Sequence, residues 1–427
     1  MKRLLICAVG LALLLVLAGG AVLWLRSLTP APTRFTLSDG SVVTFKGATF
    51  GTNHVAPSGL TLTRFLPKIV ARWLGRPTSG GSSHTTATPS VVMWFSRNGL
   101  ASGQSWACSL VLADDFETEF ENTRFYATYT PTNTVEGIAS PYPQRDEFVR
   151  VRFYDVKNWN DYTPMGDFTL RNPHVVRTPR PTAPLLPQPA QAGNLEITLK
   201  SLAANRARPR KQSSPDNQTV ARFSVREDGA ASTNWTVQRM EATDSAGSRL
   251  VSRSWSGQTR KGDEVFECKP VLWPEESYKI RFEFSRKTEA PFTTNDLWII
   301  RNLALPTNGG FTLVDATNNL NGYQVRFHGL STSGATPPWH PFTSGEHALS
   351  FSISPALKEH RFNLLRITDE SGRPINMTGS SYSDTEWGFG FKPGTNTQSL
   401  NVTVALHRSR FVEFHAQPTL TTNQTRW

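Results

Sequence analysis

The chain has 427 residues and a formal net charge of +11, and 19% of its residues are charged. This length predicts two to four domains. The modest charged fraction and the many Ser, Thr, Gly, Pro and Asn residues favour β-sandwiches with many turns and argue against helical bundles.

Residues 1–26 predict a signal anchor that crosses a membrane once as a transmembrane helix. Lys2 and Arg3 precede a run from Leu4 to Leu25 that contains no charged residue. At about 1.5 Å per residue, a helix of this length crosses the roughly 30 Å hydrocarbon core. The two cations predict a cytoplasmic N-terminus and an extracytoplasmic location for the rest of the chain. The alternative is a signal peptide cleaved after the small residues at 18–21, which would give a secreted protein.

The predicted location limits the functions that the chain can have. Too few residues precede the apolar run to form a cytosolic signalling domain, so a receptor that signals through its own tail is excluded. Nucleic acid is also excluded as the partner of the positive charge. The anionic partners outside the cytoplasm are lipid head groups, acidic glycans and cell-wall polymers.

Residues 34–174 predict a β-sandwich domain. Its first feature is a hairpin from Phe35 to Phe45 that turns at Asp39-Gly40. A tract rich in Ser, Thr and Gly at Thr78–Ser90 predicts a mobile loop. Further strands are predicted at Ser90–Arg97, Trp106–Ala113, Arg124–Thr130 and Phe148–Val156.

A short amphipathic helix interrupts this domain. Apolar residues recur at helical spacing from Leu62 to Leu74, and Pro67 restricts the regular helix to Pro67–Gly75. We interpret it as a cap on the sandwich, because an apolar stripe normally faces a core. The alternative is a basic helix that lies on the outer face of the membrane.

The segment Phe35-Thr-Leu-Ser-Asp-Gly…Gly47-Ala-Thr-Phe-Gly51-Thr-Asn-His54 resembles the start of a class of uncharacterised bacterial exported, membrane-anchored β-sandwich proteins. The resemblance covers the anchor and the first domain, and it implies a location in the cell envelope. No known activity is attached to this class, so the resemblance implies no site residue.

Residues 175–192 predict an extended linker, since six prolines occur between Asn172 and Ala192. Proline has no N–H to donate to a β ladder and favours an extended spacer.

The remainder contains an internal repeat, with three sequence blocks that recur in the same order. The matching blocks are Thr243–Gly247 with Thr368–Gly372, Phe266–Pro270 with Phe389–Pro393, and Ser277–Phe284 with Ser399–Leu406. Their order predicts two copies of one β-sandwich at 193–305 and 306–418, followed by a tail at 419–427.

The sequence contains no catalytic or metal-binding motif. H-E-x-x-H, zinc-spaced Cys and His, G-x-S-x-G and phosphate loops do not occur. The best metal candidate combines His340, Glu346 and His347, and ordinary polar loop residues explain it equally well. Cys108 and Cys268 are interpreted as buried thiols in different domains. We therefore predict no metal, no cofactor and no catalytic residues.

Two features predict a ligand surface. Trp273 and Trp339 lie beside predicted loops, and sugar rings stack on exposed aromatic rings, although sandwich cores also use tryptophan. A basic run is typical of a solvated loop but could also contact an anionic glycan or lipid surface. Its residues are Arg206, Arg208, Arg210 and Lys211.

The sequence thus predicts a mainly β protein, in which an N-terminal transmembrane helix precedes three immunoglobulin-like or fibronectin-III-like β-sandwich domains. We expect it to present binding surfaces in cell-envelope organisation or adhesion. The expected partners are the membrane and an anionic glycan, lipid head groups or an envelope protein. One alternative is a carbohydrate-binding protein that uses exposed tryptophans. Another is a sandwich-fold hydrolase with a site assembled from distant strands.

Overall fold

The computed structural model is mainly β, with its strands in several antiparallel sheets. None of the helices among the residues it describes is long and apolar enough to cross a membrane. The predicted anchor, the amphipathic helix at Pro67–Gly75 and the strand at Arg124–Thr130 lie outside those residues. The described residues are 33–55, 83–98, 105–111, 134–139, 142–158, 161–205, 218–253, 258–260, 262–268, 272–306, 310–331, 347–383 and 385–421.

The chain divides into two compact units. The first unit comprises residues 1–178 with 207–216 and 246–248, and the second comprises 179–206, 217–245 and 249–427. The second unit therefore contains nearly all of both predicted repeats.

The first unit has a four-stranded sheet in the order β1-β2-β3-β5 and a three-stranded sheet in the order β4-β6-β7. The hairpin at Asp39-Gly40 is confirmed, with Gly40 at φ +80°. The predicted loop at Thr78–Ser90 is wrong from Ser83 onward, because these Thr-rich residues pair with β2 as part of β3. The strands are β1 Arg34–Thr36, β2 Val42–Val55, β3 Ser83–Asn98, β4 Ser105–Val111, β5 Thr134–Ala139, β6 Phe148–Asn158 and β7 Asp161–Arg171.

Aromatic rings from both sheets form the core of the first unit. Phe153 of β6 stacks on Phe35 of β1 at 4.4 Å between ring centroids and meets Phe95 of β3 edge-on at 5.0 Å. Phe45 of β2 lies 4.6 Å from Phe168 of β7. The strand predicted at Phe148–Val156 is confirmed as β6, and alternate residues from Val149 to Phe153 are buried.

The second unit contains two pairs of sheets, each with its own hydrophobic core. Its strands are β8 Gln188–Ala192, β9 Leu195–Asn205, β10 Gln218–Glu227, β11 Ala230–Ala231, β12 Trp235–Asp244, β13 Arg249–Arg253, β14 Gln258–Arg260, β15 Asp263–Cys268, β16 Tyr278–Arg286, β17 Leu297–Ala304, β18 Phe311–Leu320, β19 Tyr323–Ser331, β20 His347–Ser354, β21 His360–Asp369, β22 Asn376–Tyr382, β23 Glu386–Lys392, β24 Ser399–Arg408, β25 Arg410–Ala416 and β26 Thr419–Thr421. A short 3₁₀ turn at Thr294–Asp296 precedes β17.

The first sheet pair combines the sheet β14-β15-β10-β9-β26 with the sheet β13-β12-β16-β25, and β8 and β11 flank β9 and β10. The second sheet pair combines β17-β24-β21 with β18-β19-β20-β23-β22. Cys268 is buried in the core of the first sheet pair, as its interpretation required.

The strand pairing agrees with the internal repeat. Thr243 of β12 pairs with Lys279 of β16, and the equivalent Thr368 of β21 pairs with Asn401 of β24. Because the two copies share this register, they place equivalent residues on the same face of their sheets.

The two copies exchange one strand each, which their sequences did not indicate. β17 follows β16 in the chain but pairs with β24 of the second copy, and β25 follows β24 but pairs with β16 of the first copy. Val412, Phe414 and Ala416 of β25 therefore lie in the first core. The pairing crosses the predicted boundary between residues 305 and 306, so neither repeat segment alone contains all strands of its sheets.

The end of the predicted linker at 175–192 belongs to a sheet. Gln188–Ala192 pairs with β9 as β8, and Leu186, Ala190 and Ala192 pack against the first core. Pro189 is accommodated because β8 pairs on one side only among the described residues.

Candidate functional site

The structure describes one residue of the predicted ligand surface, Trp273. It is 8% exposed, and its backbone N–H donates a hydrogen bond to the Tyr278 hydroxyl at 3.0 Å. A ring so deeply buried offers little surface for a sugar, so we assign Trp273 a packing role. Trp339 and the basic run at 206–211 lie outside the described residues.

A serine and a histidine meet in the first unit, which sequence analysis did not predict. The Ser90 hydroxyl lies 2.9 Å from His54 Nε2, and the Thr49 hydroxyl lies 2.9 Å from His54 Nδ1. This spacing is that of a nucleophile and its base. Both side chains are fully buried, however, so a substrate cannot reach them. We assign this cluster a structural role.

The second unit has a cleft of about 750 Å³ where its two sheet pairs meet. The first sheet pair contributes the start of β12, the end of β16 and the following residues to Glu289. The second contributes residues 361–364 of β21, residues 377–380 of β22 and two aromatic residues of β23. The volume is that of a small-ligand or peptide site.

Among the described residues, the sheets of the second pair have unequal numbers of strands, and the cleft lies where the larger sheet extends past the smaller one. Five strands face three, and β22 lies at the end of the larger sheet. Its partner strand β23 buries Phe389 and Phe391 in the core, whereas the residues paired with them, Ser380 and Met377, are exposed. Met377 is 51% exposed. The face of β22 that should meet the opposite sheet is therefore open to the cleft.

Aromatic residues form the floor of the cleft. Phe362 of β21 meets Trp387 of β23 edge-on, with 5.7 Å between ring centroids, and lies 6.1 Å from Phe389. Met377 and Leu357 add apolar surface at the same site. Ser, Thr, Asn and Gln side chains from both sheet pairs complete the lining. An apolar floor beside uncharged hydrogen-bonding groups is typical of a binding site.

Arg361 enters the cleft already paired with a carboxylate. Its guanidinium donates two hydrogen bonds to Glu283 of β16, at 2.6 and 2.8 Å. The Ser409 hydroxyl donates a third to the same carboxylate at 2.8 Å. Glu283 is 6% exposed, so this bidentate pair joins the two sheet pairs in a largely buried setting.

The other two cations among the described lining residues are also paired. Arg286 lies 2.8 Å from Glu227, and Lys287 lies 3.2 Å from Glu264. Burial raises the pKa of Glu227, but the charge of Arg286 and hydrogen bonds outweigh it, and the net effect is a lowered pKa. Among the described lining residues, Glu289 alone carries a carboxylate. The part of the lining that the structure describes thus holds no carboxylate pair for acid–base hydrolysis.

A buried histidine lies beside Arg286. His407 is 2% exposed, its Nε2 accepts the backbone N–H of Arg286 at 3.2 Å, and its ring meets Phe292 edge-on. Burial lowers the pKa of His407, the charge of Asp296 raises it, and the charges of Arg286 and Arg361 lower it, with a net value of about 4. The folded protein therefore holds His407 neutral at pH values where an exposed histidine is charged.

We expect stability to fall as the pH decreases from about 6.5 to about 4, because the unfolded chain binds a proton at His407 that the folded protein excludes. This difference in pKa corresponds to roughly 3 kcal/mol. His407→Gln keeps an acceptor for Arg286 and does not titrate, so it should flatten this dependence. Urea unfolding between pH 4.5 and 7.5 measures it.

His347 and His360 also have pKa values lowered by burial, so the variant should retain a weaker dependence of the same sign. The carboxylates with lowered pKa values lose their contribution only below about pH 4.5, outside this window. Equal slopes for the variant and the wild type would contradict the assignment to His407.

The described residues contain no group of three or more His, Cys, Asp or Glu side chains that could hold a metal ion. The sequence matches no protein-family model and no curated protein. The cleft in the second unit is therefore the candidate site on which a function must be argued.

Proposed function

We propose that the chain is a membrane-anchored, extracytoplasmic protein of three immunoglobulin-like β-sandwich domains that binds a partner of the cell envelope in the cleft of its second unit. The observation that carries this proposal is the composition of the cleft. Aromatic residues form its floor, uncharged polar groups line it, and the three cations among its described residues are each paired with a carboxylate. Such a lining supports non-covalent binding.

The location rests on the sequence. The uncharged run from Leu4 to Leu25, preceded by Lys2 and Arg3, supports a single span with the domains outside the cytoplasm. The resemblance of the segment from Phe35 to His54 to bacterial exported proteins supports the same location. Export followed by cleavage would place the same cleft on a secreted protein.

The paired cations bear on the class of partner. A free arginine or lysine in the cleft would favour an anionic glycan or a phosphate-bearing head group. Here Glu227, Glu264 and Glu283 already neutralise the cations among the described lining residues. This pairing supports a partner that presents an uncharged surface to the cleft, and we propose that the partner is an envelope protein.

Photo-cross-linking in the native membrane tests the proposal. A photoreactive residue at Thr378, which lines the cleft, should form a discrete adduct with a partner protein. The same residue at Leu313, which is exposed on β18 at the other end of the sheet, should not.

A blocking variant shows whether the adduct depends on the cleft. A Cβ at Gly379 meets no atom within 4 Å, so Gly379→Trp should fold and fill the cleft, and it should abolish the adduct. Gly310 has equally open surroundings and does not line the cleft, so Gly310→Trp is the matched control. Equal adducts from Thr378 and Leu313, or none from Thr378, would contradict the proposal.

A further inference from the structure

The first copy of the repeat shows which strand covers the sheet edge that is open at this cleft in the second copy. In the first sheet pair β12 has a neighbour on each side, β16 on one and β13 on the other. The five-residue strand β13 begins with the pairs Thr243–Arg249 and Ala242–Leu250. Leu250 is buried in the first core, so β13 closes that side of its sheet pair.

The equivalent strand of the second copy, β21, has such a neighbour only at its C-terminal end. Thr368 pairs with Pro374 in an isolated bridge, and the Ile375 N–H donates to the Ile367 carbonyl at 2.9 Å. These are the positions at which β13 begins in the first copy. The chain then leaves for the opposite sheet as β22. Among the described residues, no strand pairs with this side of β21 from His360 to Arg366.

The missing strand and the cleft occupy the same place. Residues 361–364 of the unpaired edge line the cleft, and so do residues 377–380 of β22. About half of the N–H and C=O groups of an edge strand point away from its sheet and can pair with an added strand. The cleft therefore offers a main-chain edge on one wall and an aromatic floor beside it.

We propose that an extended segment of the partner protein adds to the free edge of β21, antiparallel to it, and takes the place that β13 takes in the first copy. This inference rests on the proposed function and names the form in which the partner binds. Main-chain hydrogen bonds to residues 360–366 would provide affinity, and side-chain pockets would provide specificity.

The lining defines the chemistry of the segment. Alternate side chains of an added strand would face Met377, Trp387 and Phe389, so every second residue should be apolar. The cations nearby are paired, so the segment should carry no net charge. Its length should match the free edge, about five to seven residues at roughly 3.3 Å each.

Selection from a random peptide display library tests the inference, with the full chain held in lipid nanodiscs. Binders are selected on the wild type and depleted on Gly379→Trp. We expect uncharged peptides with alternating apolar residues that bind the wild type and Gly310→Trp alike. They should bind Gly379→Trp at least about tenfold more weakly.

N-methylation separates strand addition from other modes of binding. Methylating the alternate amides that face β21 should weaken binding about tenfold or more. Each methyl group removes one hydrogen bond to β21 and leaves the accepting carbonyl unpaired. Methylating the intervening amides should change binding little. Equal effects at both sets, or selected peptides without the alternating pattern, would overturn strand addition.

Hydrogen exchange gives an independent measurement on the same samples. The outward amides of residues 360–366 should exchange rapidly in the free chain and slow when a selected peptide is added. Slow exchange in the free chain would mean that another segment of this chain covers the edge, which overturns the inference. Suppose that the photoreactive residue at Thr378 forms its adduct, that Gly379→Trp abolishes it, and that no peptide shows the methylation pattern. Strand addition then fails and the proposed function stands. If the adduct is also missing, both fail.

Discussion

Phe414→Ala is expected to destabilise the first sheet pair by about 3–5 kcal/mol, although residue 414 belongs to the second repeat by sequence. Phe414 is buried, and its ring centroid lies 6.2 Å from that of Phe282 and 6.3 Å from that of Phe223. It reaches this core because β25 pairs with β16. The alanine would leave a cavity that the surrounding strands cannot fill.

Phe411→Ala is the matched control on the same strand. Phe411 is half-buried, and its ring lies 4.2 Å below the Arg281 guanidinium. The loss should be about 1 kcal/mol, the size of an exposed cation–π contact with modest burial. Urea unfolding measures both variants.

Hydrogen exchange then shows which copy is affected. Phe414→Ala should accelerate exchange in β12 and β16 before β21 and β24, because its ring packs in the first core. If protection were lost first in β21 and β24, β25 would belong to the second copy and the strand exchange would be absent.

The sequence predicted local structure well where one face of a strand is buried. The strand predicted at Phe148–Val156 is present as β6, and Asp39-Gly40 identified the first hairpin. The shared order of the repeat blocks predicted equivalent strands. Thr243 and Thr368 each pair with the equivalent residue of their own copy, which confirms this prediction. These features depend on residues that are close in sequence or repeated in it.

The strand exchange could not be predicted in the same way. β17 contains Leu-Trp-Ile-Ile and β25 contains Phe-Val-Glu-Phe, and both are apolar enough to close either sheet pair. Their partners are chosen by contacts between distant segments. Residues 287–296 are long enough to let β17 leave β16, but nothing in their composition indicates the direction.

Sequence analysis missed the candidate site because the residues next to a tryptophan do not predict whether its side chain is buried. Trp273 follows a predicted loop yet is buried, while Trp387 in a regular strand contributes to the cleft. One signal was present in the repeat. Where the first copy has Arg249-Leu-Val-Ser-Arg, the second has Pro374-Ile-Asn-Met-Thr-Gly379, and its proline cannot donate a ladder hydrogen bond. This difference marks the place where β21 loses its outer neighbour.

Glu283→Ala is expected to cost about 3–4 kcal/mol, because it leaves the Arg361 guanidinium and the Ser409 hydroxyl without their acceptor between the two sheet pairs. The expected value lies at the lower end of the range for buried pairs, since Arg361 keeps about a quarter of its side-chain surface exposed. Glu413→Ala removes an exposed partner of Lys279 from the adjacent strand and should cost less than about 1 kcal/mol.

We expect the same pair to determine how the second unit unfolds. Glu283 lies on β16, Arg361 on β21, and Ser409 at the crossing from β24 to β25, so one carboxylate fixes the junction that the exchanged strands create. The wild type should unfold this unit in one transition, and Glu283→Ala should separate the two sheet pairs into two. Thermal unfolding followed by hydrogen exchange distinguishes the outcomes. A loss no larger than that of Glu413→Ala, with a single transition, would mean that the strands alone hold the junction.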